Sequence, residues 1–239
     1  AVAHEYGHGI TQFQIGWGNN QRHFHEGMSD IWGVILEHRI NPNSNSVWQI
    51  GEQITKNYQC LRNIQNTNDS NVEIKIADTF NSAQYNNAVG NLQPYVQGGV
   101  FSHWFYLLVN GGSGVNDLGN SYRVYGVGFD TAENLIINAV FNNFLRNKTT
   151  YEGLRTSFIQ AANGNDLLIQ QIENAWYAVG VGSKPTQLQL SGPSTVCDQA
   201  AYTIANLPPG ATMQWSAINS NLQLVSAQDS TAVFRKISN

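Results

Sequence analysis

The chain has 239 residues, a formal net charge of −4 and 12% charged residues, and it is rich in Asn, Gln, Ser and Gly. The net negative charge excludes nucleic acid as a main partner, because phosphate binding needs a basic stripe and the sequence contains none. The composition fits an extracytoplasmic globular protein and not a disordered chain, which would be charge-rich and poor in aromatic residues. No run approaches the roughly 20 apolar residues of a membrane span, and two cysteines, Cys60 and Cys197, make no disulfide framework.

The first ten residues, AVAHEYGHGI, carry a dense chemical motif. His4 and His8 are four positions apart, so in a helix they project from the same face one turn apart. Two imidazoles placed in this way can bind one tetrahedral metal ion. Glu5 follows the first histidine, where its carboxylate can reach a metal-activated water molecule without ligating the metal. H-E-x-x-H in an apolar setting is the signature of zinc peptidases, so the pattern predicts a zinc helix.

The stretch HEGMSD predicts a second helix that completes the site. Glu26 and Asp30 are also four positions apart, so both carboxylates can face the first helix. Catalytic zinc usually takes three protein ligands, and His4, His8 and Glu26 can fill that set. Asp30 is suited to accept the free ring N–H of a ligating histidine and so fix its tautomer. The alternative for Asp30 is a solvated charge on a helix face.

Helical periodicity dominates most of the remaining chain up to residue 182. The segment between Asn63 and Gly99 is polar and irregular, and GGVFSHWFYLLV then predicts a buried helix over 98–109. Asp130 and Glu133 have capping-box spacing ahead of the helical run LIINAVFNNFL. Two further helices are predicted over 152–162 and 166–178.

After residue 183 the pattern changes to short alternating runs between turn signals. The runs are TQLQLSG, AAYTIANL, ATMQWSAI, LQLVSA and STAVFRKI. Their spacing is typical of a β-sandwich module. We therefore predict a mainly α catalytic lobe over residues 1–182, followed by a partial all-β immunoglobulin-like sandwich over residues 183–239.

Three stretches, AVAHEYGHGIT, HEGMSDIWG and NAWYAVGVG, together resemble the catalytic half of the thermolysin-like neutral zinc metalloproteases, over roughly residues 1–182. In that family the third ligand is a glutamate in an E-x-x-S-D motif, which Glu26 matches. The related aminopeptidases lack the S-D pair, so HEGMSD favours the thermolysin-like branch. Between His8 and Glu26 lie 17 residues, two fewer than the family pattern.

The resemblance also implies a substrate site. The segment CLRNI is similar to the family's L-R-S/N segment, which holds an arginine against the substrate backbone, and Arg62 matches that arginine. Leu61, Ile50 and Ile54 then line an apolar pocket for the residue after the cleaved bond. For these three aliphatic residues, plain core packing is an equally good explanation.

The family pattern breaks where a histidine normally stabilises the oxyanion. Tyr95 stands at that position, and Gly90 stands where an aspartate would orient the histidine. His103 is eight residues further along and is predicted to be a packing residue of the helix. Two explanations compete: the Tyr95 phenol replaces the histidine as a donor to the oxyanion, or the site binds zinc and is weak or inactive.

Two other positions depart from the family. His25 replaces the usual asparagine before Glu26, where it either contributes to the surroundings of a ligand or is exposed. A family calcium site retains Glu37 and Glu52, but Val47 and Gln49 replace expected acids. Calcium needs several oxygen ligands, so calcium binding is doubtful.

The leading hypothesis is a secreted or cell-surface zinc endopeptidase that acts on protein or peptide substrates. Glu5 is the expected general base on the metal-activated water, and an apolar residue is expected after the cleaved bond. The alternative is an inactive zinc-binding relic that serves as a binding or adhesion protein. The resemblance also implies an upstream N-terminal lobe of the same protein, because the family's cleft lies between two lobes.

Overall fold

The chain divides into two units, Ala1–Lys184 and Pro185–Asn239. The computed structural model describes residues 2–186, 189–207, 213–217 and 220–237. Across these ranges, no helix is both long enough and apolar enough to cross a membrane.

The first unit is mainly helical. Its α-helices are α1 (Val2–Ile10), α2 (Arg22–Ile40), α3 (Ala83–Asn86), α4 (Gln93–Asn110), α5 (Phe129–Phe141), α6 (Tyr151–Ala161) and α7 (Asp166–Ala178). Two small antiparallel pairs accompany them: β1 (Gln49–Ile50) with β2 (Arg62–Asn63), and β3 (Gly111–Val115) with β4 (Ser121–Tyr125). The helices expected over 98–109, 152–162 and 166–178 are present. The first of them begins earlier, at Gln93, and the β3–β4 hairpin was not predicted.

The central helix of this unit is α4, which packs against α2, α5 and α7. It is apolar almost all round, as expected for a helix with neighbours on several sides. Its Trp104 stacks on Trp176 of α7 at 4.6 Å between ring centroids, and both rings are fully buried. Buried aromatic residues therefore fix the helices that lie behind the site.

Glycines let the two helices of the predicted metal site approach their neighbours closely. A Cβ on Gly7 of α1 would lie 2.9 Å from the Ser29 Cα of α2, and a Cβ on Gly27 would lie 2.6 Å from the Gly98 carbonyl oxygen of α4. Real Cβ atoms do not approach other atoms so closely. Backbone-to-backbone packing of α1, α2 and α4 is therefore possible only because these positions lack side chains.

The predicted capping box of α5 is wrong. The helix begins at Phe129 after Gly128, and no side chain caps it. Glu133 instead accepts a hydrogen bond from Arg39 Nε at 2.7 Å, while Asp130 lies 3.6 Å from the same guanidinium. Asp130 and Glu133 therefore interact with Arg39 of α2 and do not cap α5.

The second unit contains one four-stranded antiparallel sheet. Its strands are β5 (Gln189–Ser191), β6 (Gln199–Ala205), β7 (Leu222–Gln228) and β8 (Thr231–Lys236), in the order β5-β6-β8-β7. Of the predicted ATMQWSAI run, residues 213–217 form no strand and the others lie outside the described residues. A second sheet is not among the residues described, so the immunoglobulin-like sandwich is not established.

His23 of α2 gives the fold an expected acid sensitivity. Its ring packs on Phe24 and Tyr151 at 4.1 and 5.7 Å between centroids, and burial lowers its pKa from 6.5 to about 4. Between these two pH values the unfolded chain binds more protons at this residue, so stability falls as the pH falls. The unfolding free energy of the wild type should fall between about pH 7 and pH 4.5. In His23→Gln we expect this fall to be smaller by roughly 2 kcal/mol.

Urea unfolding of the metal-free wild type and variant across this pH range measures the difference. Above about pH 7 the two stability curves should run parallel, because the histidine is neutral in both states there. Curves that also stay parallel below this pH would contradict the prediction.

Candidate metal centre

Helix α1 brings His4 and His8 to the face that packs on α2, and α2 carries Glu26 to meet them. His4 Nε2 lies 3.2 Å from Glu26 Oε2, and His8 Nε2 lies 3.7 Å from the same oxygen. Among the described residues these three form the one group of potential metal ligands, with all ligand atoms within 4.8 Å of one another. The i, i+4 spacing of the histidines produces this geometry.

The chemistry of this group fits a zinc ion. Glu26 is 6% exposed, and its Oε2 atom is buried without a hydrogen-bond partner. A buried carboxylate oxygen that accepts no hydrogen bond is costly, and a cation shared with the two imidazoles would remove that cost. Two histidines and one glutamate are also a ligand set of catalytic zinc, which leaves one position open.

Asp30 lies behind His4 and pairs with a buried arginine. His4 Nδ1 is 2.8 Å from Asp30 Oδ1, a distance at which a protonated His4 forms an ion pair with this carboxylate. Arg62 donates to Asp30 through Nε at 3.0 Å and through Nη2 at 2.6 Å. Burial alone would raise the pKa of Asp30, but Arg62 and His4 outweigh it and lower the pKa to about 2. Asp30 is therefore a buried anion and not a solvated helix-face charge.

The two histidines differ in their electrostatic surroundings. Burial lowers the pKa of His4, but Asp30 and Glu26 outweigh burial and raise it to about 9. Burial also lowers the pKa of His8, and here it outweighs the attraction of Glu26. The position between His4 and Glu26 thus favours a positive charge, which is the condition that a metal cation meets.

A cleft of about 300 Å³ opens in front of the metal ligands. It is lined by His4, Glu5, His8, Ile50, Ile54, Leu61, Arg62, Ile74 and Tyr95. The cleft therefore brings together the predicted base, two predicted ligands, the predicted apolar pocket, Arg62 and Tyr95. Ile74 was missed by the sequence analysis because nothing in its local pattern separates it from a core residue.

Short backbone pairings build the apolar wall of the cleft. Ile50 and Arg62 are partners in the β1–β2 pair, and the Leu61 amide donates to the Ile50 carbonyl at 2.8 Å. The Ile74 amide then donates to the Leu61 carbonyl at 2.9 Å. Ile50 is 6% exposed and belongs to the core, whereas Ile54 is 58% exposed. Of the two explanations for these residues, core packing applies to Ile50, and Ile54 faces the cleft.

Tyr95 lies in the first turn of α4, half-buried, at the edge of the cleft. The Arg62 guanidinium lies over its ring, with 5.0 Å between Cζ and the ring centroid. Its hydroxyl makes no hydrogen bond to the described residues, so the donor is available to a molecule in the cleft. His103, in contrast, is half-buried in α4, with Nδ1 2.7 Å from the Ile64 carbonyl oxygen, which is the packing position predicted for it.

The other two departures from the family pattern take structural positions. His25 is half-buried, with its Nε2 atom 2.7 Å from the Trp17 carbonyl oxygen and its ring 5.9 Å from that of His8. Among the described residues, His25 forms no hydrogen bond to His4, His8 or Glu26. Glu37 accepts hydrogen bonds from the Ser44 and Ser46 hydroxyls at 2.8 and 3.3 Å.

Comparison with known proteins assigns the helical part of the chain. Residues 19–181 match the family described as thermolysin metallopeptidase, alpha-helical domain. The H-E-x-x-H helix precedes this range, so it is an observation independent of the family match.

Several known proteases are similar to the chain. Bacillolysin of Bacillus amyloliquefaciens is 27% identical over 186 residues, which are 75% of this chain and 31% of that protein. Thermolysin of Alicyclobacillus acidocaldarius is 26% identical over 187 residues, which are 75% of this chain and 32% of that protein. Karilysin of Tannerella forsythia is 48% identical over 46 residues, which are 19% of this chain and 10% of that protein. The matches thus span about a third of the two thermolysin-like relatives and a tenth of karilysin. Because the family match covers more than half of the chain, the chain belongs to the thermolysin metallopeptidase family and carries its alpha-helical domain.

Proposed function

We propose that this chain is the zinc-binding helical part of a secreted or cell-surface endopeptidase that hydrolyses proteins or peptides. The observation that carries the proposal is the buried Glu26 Oε2 atom, which accepts no hydrogen bond and lies within 3.7 Å of both histidine Nε2 atoms. Glu5 lines the same cleft. Membership in a metallopeptidase family and the protease relatives support the reaction class. The low-charge composition supports a location outside the cytoplasm.

His4, His8 and Glu26 would hold the zinc ion, and Asp30 would fix the orientation of His4. Bound zinc polarises the scissile carbonyl and makes water easier to deprotonate. Glu5, with its side chain exposed in the cleft, takes a proton from the attacking water and passes it to the leaving amine. The Tyr95 hydroxyl, at the edge of the cleft, donates a hydrogen bond to the oxyanion that develops on the substrate.

Substrate selection follows from the walls of the cleft. Ile54, Leu61 and Ile74 form an apolar surface that favours an apolar side chain after the cleaved bond. Arg62 uses Nε and Nη2 on Asp30, which leaves Nη1 as a donor for a substrate carbonyl. The buried ion pair therefore holds the arginine in one orientation at the cleft.

The alternative function, an inactive zinc-binding adhesion protein, rests on the loss of the family histidine at position 95. It is not favoured, because the cleft keeps a carboxylate at Glu5 beside the ligands and a hydroxyl donor at Tyr95. A protein that only bound partners would need neither group.

Removal of the metal tests the proposal. A chelator such as 1,10-phenanthroline should reduce hydrolysis of a peptide with leucine after the cleaved bond to background, and added zinc should restore it. His8→Ala should lower zinc content and activity together, because it removes a ligand. His38→Ala is the matched control, since His38 stacks on Phe129 outside the cleft. Cleavage that persists in the chelator, or a zinc-loaded protein that cleaves no peptide with its N-terminal lobe present, would contradict the proposal.

A further inference from the structure

A second cavity, of about 440 Å³, lies on the other side of His8 from the cleft already described. Its lining residues are His8, Gly9, Gln12, Phe13, Trp17, Gly18, Arg22, His25 and Glu26. His8 borders both cavities, and Glu26 borders this one. The proposed metal position therefore lies between the two cavities.

The two cavities differ in chemistry. The first contains four isoleucine and leucine residues, and its one arginine, Arg62, is paired with Asp30, whereas the second contains no isoleucine or leucine among its described lining residues and carries the guanidinium of Arg22. Arg22 is the exposed first residue of α2, and it forms no ion pair or hydrogen bond with the described residues. Among the residues that line the second cavity, Glu26 is the one carboxylate, and its Oε2 atom is directed to the histidine ligands. The cationic charge of Arg22 is thus not neutralised inside the protein.

The neighbours of Arg22 leave room for a long side chain. Phe13 is 86% exposed and offers an apolar surface beside the guanidinium. His25 already uses Nε2 on the Trp17 carbonyl, and Gln12 adds an uncharged amide. A glutamate side chain suits this combination, because its methylene groups can contact Phe13 while its carboxylate reaches Arg22.

We propose that Arg22 is a specificity-determining residue, and that the second cavity takes an acidic side chain from the residue directly before the cleaved bond. This inference rests on the proposed endopeptidase function. A peptide that places the residue after the bond among Ile54, Leu61 and Ile74 must continue past His8 in the other direction, toward Arg22. The specificity of the protein then combines an acidic residue before the bond with an apolar residue after it.

The expected effect is modest, because Arg22 is exposed. A solvent-exposed charge pair gives about a 3- to 5-fold preference for glutamate over glutamine. The preference should weaken as salt rises above about 0.15 M, since screening shortens the range of the interaction.

Three peptides that differ only before the cleaved bond, with Glu, Gln or Lys, test the inference. The wild type should show the highest kcat/KM for the Glu peptide. Arg22→Gln should make the Glu and Gln peptides equal, and Arg22→Glu should make the Lys peptide the best. Arg123→Gln is the matched control, because Arg123 is an exposed arginine of β4 that lines neither cavity.

The dissociation constants of the same peptides for zinc-loaded Glu5→Gln protein separate this inference from the proposed function. If no protein cleaves but peptide affinity follows the charge at position 22, the endopeptidase function fails and the role of Arg22 stands. If neither kcat/KM nor affinity favours Glu, or if the Arg22 variants keep the wild-type preference, the inference is overturned.

Discussion

Glu5→Gln should lower kcat/KM for peptide hydrolysis by about 10²- to 10⁴-fold, which is the range for loss of a general base. Glutamine keeps the shape of the side chain, but an amide cannot accept the proton of the attacking water. Zinc content should not change, because Glu5 is outside the group formed by His4, His8 and Glu26. Stability should not change either, since the Glu5 side chain is exposed in the cleft.

Steady-state kinetics with matched zinc analysis measures this effect. Glu152→Gln is the control for the substitution itself, because Glu152 is exposed on α6 and pairs with Arg155 at 3.0 Å. Such surface pairs contribute little to stability. A zinc-loaded Glu5→Gln protein that keeps wild-type turnover would show that another group is the base.

Tyr95→Phe should lower kcat by about 10²- to 10³-fold and leave KM and zinc content near their wild-type values. The phenol would act on the oxyanion, which exists only in the transition state. Its loss should therefore not weaken substrate binding. The phenylalanine ring keeps the contact with the Arg62 guanidinium, which lies 5.0 Å from the ring centroid, so the cleft should keep its shape. Tyr95→His should retain more activity than Tyr95→Phe, because imidazole also donates a hydrogen bond.

The comparison of these variants decides between the two explanations for Tyr95: a phenol that replaces the family's histidine as donor to the oxyanion, or a zinc site that is weak or inactive. Tyr125→Phe serves as control, since Tyr125 is 62% exposed on β4 and lines no part of the cleft. Equal turnover of wild type and Tyr95→Phe would exclude the phenol as donor. An inert wild type together with an active Tyr95→His protein would instead identify the chain as a zinc-binding relic.

Sequence analysis was most successful where the spacing of residues alone determines the helix face on which their side chains lie. His4 and His8, like Glu26 and Asp30, are one helical turn apart, so a helix places each pair on one face whatever surrounds it. The long apolar run of α4 predicted a buried helix for the same reason, because its periodicity extends over many residues. The assembly of these residues into one site still required the packing of α1 on α2, which local spacing does not specify.

Other features depend on contacts between distant residues. The β3–β4 hairpin joins a glycine-rich segment, 111–115, to residues 121–125, and its glycines carry no side-chain alternation to mark a strand. Glu133 leaves its predicted cap because Arg39, far away in sequence, competes for it. Ile74 reaches the cleft through a backbone hydrogen bond to Leu61, which no pattern of side chains records.

The contact between Gly27 and Gly98 has a consequence for how this protein can be altered. Glu26 precedes one of these glycines, and Tyr95 lies one turn before the other, so the distance between the proposed metal ligand and the proposed oxyanion donor depends on two backbones in contact. A single methyl group at either glycine would push α2 and α4 apart behind the cleft, without changing any atom of its lining. Under the proposed roles of Glu26 and Tyr95, substitutions at Gly27 or Gly98 should therefore change turnover from behind the cleft, although neither glycine lines it.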